Sequence, residues 1–299
     1  MTGGEFQESG KAFGGSRGTR TRANLPGRFR TGIRIGRIAL TAYVLLMLAL
    51  LALPIVLVVV ASFQGGMEVA SRPDGWSLSA YEAIPTNYWD ALWFTIRSAF
   101  WATICALVLA VPAAWGLVRG NLRERRFVSA LVLLPDAVPS ITLGIALLAL
   151  FVPLGLSNSF AGITVALTVI SLAMALRFTE ALMGGVPEEL EQAAVTMGAS
   201  RVTALTTVVL PLLAPGLAIA ALFVFVHNLV TFELLLFIAG PRATPISVQL
   251  FSDIVDRGVL PQAIAMSAIL VYVGIAFHTL VAMTVGARYL AGSAMARKG

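Results

Sequence analysis

Charge is scarce in this chain. Only 12% of its 299 residues are Asp, Glu, Lys or Arg, about half the share of an ordinary soluble domain. With 58% hydrophobic residues and a mean hydropathy of +0.87, the composition is that of an integral membrane protein. Cysteine is nearly absent: Cys105 stands alone, which excludes an internal disulfide and a cysteine metal cluster. Its surroundings make it a small apolar residue inside a span. The two histidines, His227 and His278, lie far apart without HExxH spacing and give no metal signal. No G-x-x-x-x-G-K-S/T run occurs, so the phosphate-cradling loop of P-loop nucleotidases is missing. No nucleophile or carboxylate pair forms a catalytic constellation. The net charge of +6 could in principle attract nucleic acid, but the basic residues cluster beside hydrophobic runs. That pattern sets membrane orientation and does not point to nucleic acid.

Long uncharged runs are what the chain has instead. Residues 1–37 are rich in Gly, Ser, Thr and Arg and are predicted to be a disordered basic tail. A further role in binding anionic lipid is open to the tail, though orientation alone accounts for it. The 26-residue run Ile38–Phe63 is longer than a signal-peptide core and is predicted to remain as span one. Gln64–Asp90, with Trp76, Tyr81, Tyr88 and Trp89, is predicted to be an outer loop with an aromatic belt. Ser98–Val118 is span two, long enough to cross a hydrocarbon core of about 30 Å. Span three starts near Phe127 and carries Pro135, Asp136 and Pro139. Asp136 is either a pathway residue or a group at a helix end near the membrane surface, because a carboxylate at mid-membrane is costly. Pro153, Gly155, Ser157 and Asn158 divide span three from span four, Ala161–Ala181. Span five is predicted at Pro211–Ile238 and span six within Gly258–Ala287, with residues 291–299 a short tail.

Basic residues orient these spans. Lys11, Arg17, Arg20, Arg22, Arg28, Arg30, Arg34 and Arg37 precede span one, and Arg119, Arg123, Arg125 and Arg126 follow span two. Arg201 lies between spans four and five, and Arg288, Arg297 and Lys298 follow span six. The outer segments hold Arg72, Arg242 and Arg257. Both termini are therefore expected in the cytoplasm, and so is segment 186–211.

That segment is an acidic island between two apolar spans. Leu190, Ala193, Ala194 and Met197 fall at i, i+3, i+4 and i+7, one face of a helix. Pro187 and the acids Glu188, Glu189 and Glu191 suit a helix N-terminus, Gly198 suits a left-handed C-cap, and Ser200 can cap a second short helix running from Arg201 toward Pro211. The run Gln192-Ala193-Ala194-Val195-Thr196-Met197-Gly198, nine residues, then Val208-Val209-Leu210-Pro211 resembles the EAA signature of permease subunits of binding-protein-dependent ABC importers. It departs at its first position, where Gln192 stands for Glu, with Glu191 just before it. Trp76-Ser77-Leu78-Ser79-Ala80-Tyr81, Leu134-Pro135-Asp136 and Pro245-Ile246-Ser247-Val248-Gln249-Leu250-Phe251-Ser252 resemble the spermidine/putrescine branch of that family.

The resemblance covers about residues 38–290. It implies an all-α, polytopic fold of six transmembrane helices with a coupling helix on the cytoplasmic side of a bacterial inner membrane. It implies as partners a second permease, two ATP-binding subunits and an extracytoplasmic solute-binding protein, with ATP and Mg²⁺ held by the ATPases and none by this chain. Glu191, Gln192, Ala193, Ala194, Met197, Gly198, Leu210 and Pro211 would form the coupling segment, and the solute would be polyamine-like. The polar residues His227, Asn228 and Glu233 of span five, with Asp136, are the candidate pathway residues. His227 and Asn228 stand where many polyamine-type relatives have an acid, which leaves another organic or anionic solute open, and His227 also fits a buried histidine bonded to backbone. An ion-coupled secondary transporter would need membrane acids in both halves, for which Asp136 and Glu233 are slender support.

Overall fold

The computed structural model describes residues 27–64, 76–120 and 125–296. The chain divides into two units, Met1–Pro54 and Ile55–Gly299. Helix α1 spans Gly27–Ser62, and its stretch Ala39–Ser62 is apolar and long enough to cross a membrane. It reaches back over Arg28, Arg30 and Arg34, so the predicted tail is corrected: residues 27–37 are helical. Extending an existing helix costs little per residue and arginine is a good helix former. Residues 1–26 lie outside the described residues.

The second unit is built on three long helices, α3 (Thr86–Arg119), α6 (Phe160–Gly184) and α9 (Leu210–Val230). They pack because the facing positions are small. Ala99, Ala102, Ala106, Ala110 and Ala114 recur every three or four residues on α3 and are all fully buried. They lie on the side turned to α6 and α9, where Ala166, Ala173 and Ala175 are equally closed to solvent. Apolar side chains gain little by leaving lipid, so close backbone approach across small residues is what holds such helices together.

Elements at the helix ends complete the unit. Short α2 (Ser79–Glu82) packs on α12 (Pro261–Ala296). Helix α11 (Ile246–Arg257) lies on the first turns of α3, where Ile246 N–H donates to Thr95 Oγ1 at 2.9 Å. Tyr88, Ala91, Ile246, Leu250 and Met266 form the apolar cluster beneath it. The turn at 153–158 is where the prolines and glycines place it, and Asn158 fastens it to the second breaker. Asn158 adopts φ +50°, its backbone N–H donates to Ile238 O, and its Oδ1 accepts from Arg242 N–H at 2.9 Å. Among the described residues there is no strand, only an isolated bridge between Gly240 and Ala243.

Three predicted spans need correction. Span three is two helices, α4 (Arg125–Ala137) and α5 (Ser140–Phe151), bent by 101° at Val138–Pro139. A proline disfavours helical backbone at the residue before it, so helix stops at Ala137 and restarts after Pro139. Span five stops at Val230; Thr231–Leu234 is non-helical, and α10 (Leu235–Ile238) follows. The last helix runs unbroken to Ala296, so the predicted tail at 291–296 is helical. Among the described residues five helices are long and apolar enough to be spans outright, and the bent pair makes a sixth when taken as one crossing.

A polar contact crosses the core. Asn228 is fully buried, and its Nδ2 donates to Thr103 Oγ1 at 3.2 Å. Thr103 in turn donates to Ala99 O. Thr103→Val keeps the shape and orphans the amide, so we expect a loss of about 1–3 kcal/mol, seen as a lower melting temperature of the purified protein in detergent.

Candidate functional site

Two groups of predicted residues are distinct sites in space. The first is α7 (Glu188–Thr196), which begins after Pro187 with three acids in its first turn, where the helix dipole favours negative charge. It ends in a paired-bond cap: Gly198 N–H donates to Val195 O at 2.9 Å and Ala199 N–H to Ala194 O at 3.1 Å. Gly198 holds φ +96°, and open space surrounds the position of a Cβ. Its requirement is therefore backbone conformation and not room. Ser200 caps the next element, accepting from Thr203 N–H at 3.1 Å.

That second element is not a separate short helix. Helix α8 (Arg201–Ala204) runs through a π-helical turn, Leu205–Val209, straight into α9. The π turn lies just before Pro211, which has no N–H and whose ring would strike the Thr207 carbonyl in a regular α-helix; widening the turn relieves the clash. Leu210 N–H accordingly reaches back five residues to Leu205 O. Leu210 and Pro211 thus open α9, beyond the π turn and within the continuous span Arg201–Val230.

The exposed surface differs from the predicted face. Leu190, Gln192, Ala193, Val195, Thr196 and Met197 are exposed, Met197 at 83%. Ala194 is buried, turned away from Ala193, and so is Glu191 at 8% exposure. Adjacent residues on a helix are 100° apart, so a pair such as Ala193 and Ala194 cannot share one narrow face. Gln192 bonds locally, its Nε2 donating to Glu188 Oε1 at 3.1 Å.

Glu191 is tied to residues at the C-terminal end of α3. Its Oε1 accepts from Trp115 Nε1 at 3.0 Å, and its Oε2 lies 3.7 Å from Arg119 Nε. Arg119 also faces Glu188 at 3.9 Å. Its Nη2 donates to Met183 O at 3.2 Å and to Val186 O. One guanidinium thus bonds two carbonyls of the corner between α6 and α7 and neutralises the first turn of α7. A cleft of about 370 Å³, lined by Arg119, Glu188, Glu191, Gln192, Val195, Thr196 and Arg201, opens beside it. Arg119 and Trp115 were not singled out from the sequence, where Arg119 counted only toward orientation. The available signal was their spacing of four at the end of a span, beside an acidic helix in need of a cation.

The second site lies where helices break. His227, on the last turn of α9, and Glu233, in the break after it, line one recess of about 250 Å³ with Ser140, Ile170, Val230, Thr231, Phe232 and Leu234. Asp136 is exposed at the end of α4 and is not among the residues lining the recess. Asn228, the fourth pathway candidate, is turned into the core toward Thr103. The recess keeps its shape because α5 approaches the break closely: a Cβ on Gly144 would stand 2.8 Å from Leu234 O. Irregular backbone in a membrane protein persists where it lines a cavity or is covered by protein. Ser140 and Thr231 were missed in the sequence because hydroxyls are common in such runs and the bend that exposes them was not foreseen. Among the described residues no three His, Cys, Asp or Glu side chains gather into a metal-holding group.

These features match a known family. The family model "Binding-protein-dependent transport system inner membrane component" matches residues 106–287, which hold α7, the π turn and the recess. The chain belongs to this family. It is therefore a permease subunit of a type I ABC importer, a membrane component of a transporter and not itself a catalyst. It is 29% identical over 212 residues to the sulfoquinovosyl glycerol permease SmoH of Agrobacterium fabrum, covering 66% of this chain and 73% of that one. It is 27% identical over 241 residues to the spermidine/putrescine permease PotC of Haemophilus influenzae, with coverage of 80% and 93%. It is 32% identical over 211 residues to the molybdenum permease ModB of Mycobacterium tuberculosis, with coverage of 66% and 78%. Its fold is similar to that of a chain from a bacterial importer of the polysaccharide alginate, with a TM-score of 0.67 at 20% identity over 83% of this chain and 95% of that one.

Because only backbone conformation constrains Gly198, Gly198→Ala should weaken the α7 cap by about 1–2 kcal/mol, the cost of left-handed backbone in an L-residue. Hydrogen exchange at the Gly198 and Ala199 amides should speed up accordingly, with α3 unaffected.

Proposed function

We propose that the permease lies in the bacterial inner membrane with both termini in the cytoplasm, and that α7 is its coupling helix. Its exposed residues Leu190, Ala193, Val195 and Met197 sit in a groove of a partner ATPase. The observation that carries this reading is the exposed apolar and small-residue surface on a helix whose opposite side is anchored by Glu191 and Ala194. Helix-in-groove recognition needs such an unpartnered face. ATP and Mg²⁺ bind the two ATPase subunits. The pore forms with a second permease, and a solute-binding protein delivers the solute from outside. Closure of the ATPases on ATP shifts the permease pair between inward-open and outward-open states, because nucleotide binds the two states with different affinity.

For the solute, the recess at the break of α9 supports a cation of polyamine type. Glu233 lines it, and none of its described lining residues is Lys or Arg. The carbonyl-bearing C-terminus of α9 adds partial negative charge. An oxyanion such as molybdate would meet repulsion there, and a neutral glycoside would gain hydrogen bonds but no charge attraction.

Reconstitution with the neighbouring operon products tests both readings. Uptake should vanish without the ATPase, and survival of uptake on an ion gradient alone contradicts the importer assignment. Met197→Asp, which puts charge on the docking surface, should prevent copurification of the ATPase while the permease still inserts. In proteoliposomes, radiolabelled spermidine or putrescine should accumulate, and Glu233→Gln should reduce the rate at least about tenfold, as loss of a close charge worth some 1.4 kcal/mol would. Accumulation of molybdate in place of polyamine would refute the cationic assignment.

A further inference from the structure

The inner surface of α7 is held by very little. Of its nine residues only Glu191 and Ala194 are buried, and it hangs between two non-helical corners, Gly185–Pro187 on one side and Met197–Ser200 on the other. A short helix on two corners can swivel when a partner pulls on it, and a pull absorbed by swivelling moves nothing else. Glu191 opposes this. Its carboxylate is joined at one oxygen to Trp115 and faces Arg119 with the other. Both partners lie on the last two turns of α3, and the Arg119 side chain is only 12% exposed.

Helix α3 is a single element of 34 residues, braced along its length by the alanine contacts with α6. Near its other end, Thr95 Oγ1 accepts the Ile246 N–H that starts α11. The same Thr95 hydroxyl donates to Ala91 O, which fixes its rotamer. One helix therefore has the docking helix attached at one terminus and an amphipathic helix attached near the other.

We propose that Arg119 and Trp115 are positioning residues for coupling. They lock α7 to α3 through Glu191, so that displacement of α7 by the ATPase travels along α3 and reaches α11 on the outer side. This rests on the assignment of α7 as the coupling helix. The Arg119 fork is central because it spans two carbonyls and two carboxylates at once; a lysine keeps the charge and cannot reach all four. Glu191→Gln keeps an oxygen for Trp115 and removes the attraction to Arg119.

The test uses the assembled importer in nanodiscs with Cys105→Ala, a nitroxide on Ser252→Cys of α11, and ATP plus vanadate as the probe. No solute is required. In the otherwise unaltered complex, trapping should change the solvent accessibility of the label. Arg119→Lys and Glu191→Gln should copurify with the ATPase and trap nucleotide to the usual extent, while the fraction of complexes whose label responds falls by about tenfold, within the usual range of coupling between sites. A full label response in both variants would overturn the proposal, as would an unresponsive label in the parent complex. If Arg119→Lys does not assemble, Trp115→Phe, which deletes one hydrogen bond, is read by the same two measurements. Failure of the coupling-helix assignment looks different: Met197→Asp would then retain the ATPase.

Discussion

Alanine at positions 99, 102, 106, 110 and 114 lets α3 approach α6 and α9 at backbone distance, and nearly everything else in the second unit is placed by that contact. In lipid, larger apolar side chains would be no better buried between helices than beside acyl chains, so an interface exists only where small residues permit close packing. The three packed helices then fix four corners. Arg119 emerges where α6 ends and α7 begins. Thr95 meets the start of α11. Thr103 meets Asn228. The broken end of α9 falls against the start of α5, where Gly144 allows contact with Leu234 O.

The two functional regions use opposite physics. Around α7, charge is concentrated and mostly satisfied: Arg119 is matched by Glu188, Glu191 and two carbonyls, so the acidic first turn is held in place. Around the recess, charge is left unmatched. Glu233 lines it beside His227, and none of its described lining residues is Lys or Arg, so the carboxylate is not held in a tight ion pair with a guanidinium or ammonium group of the recess.

Much of this was visible in the linear order of residues. Uncharged runs marked the spans, and the turn signals at 153–158 and 240–245 marked where the chain turns. The segment from Gln192 to Pro211 was legible as a helix, a glycine corner and a second capped helical start, and Gly198 and Ser200 took the conformations their chemistry suggests. The failures share a cause, which is that hydropathy reports whether a run suits lipid and not which way it travels. Ala137–Leu150 looks continuous, yet Pro139 turns it through a right angle; Pro211–Ile238 looks continuous, yet helix ends at Val230. The apolar positions of α7 were assigned to one partner, whereas the fold divides them between the protein's own body and open solvent. Periodicity finds a stripe and cannot say what covers it. Glu191, noted only as the acid just before Gln192, is engaged by a contact with Trp115, 76 residues away in sequence.

The π turn at Leu205–Val209 adds a geometric consequence. Such a turn holds one residue more than α-helical geometry would place there, and each residue advances an α-helix by about 100°. The turn stands between α7 and the recess, so it sets the phase of one against the other. If it were ironed out into α-helix, every side chain beyond it would revolve by roughly a quarter turn relative to α7, and His227 would swing out of the recess without any helix tilting. Pro211 guards that phase. It acts as a ratchet tooth in the thread of the helix, and the direction in which α9 faces is written at its first turn, some four helical turns before its polar residues.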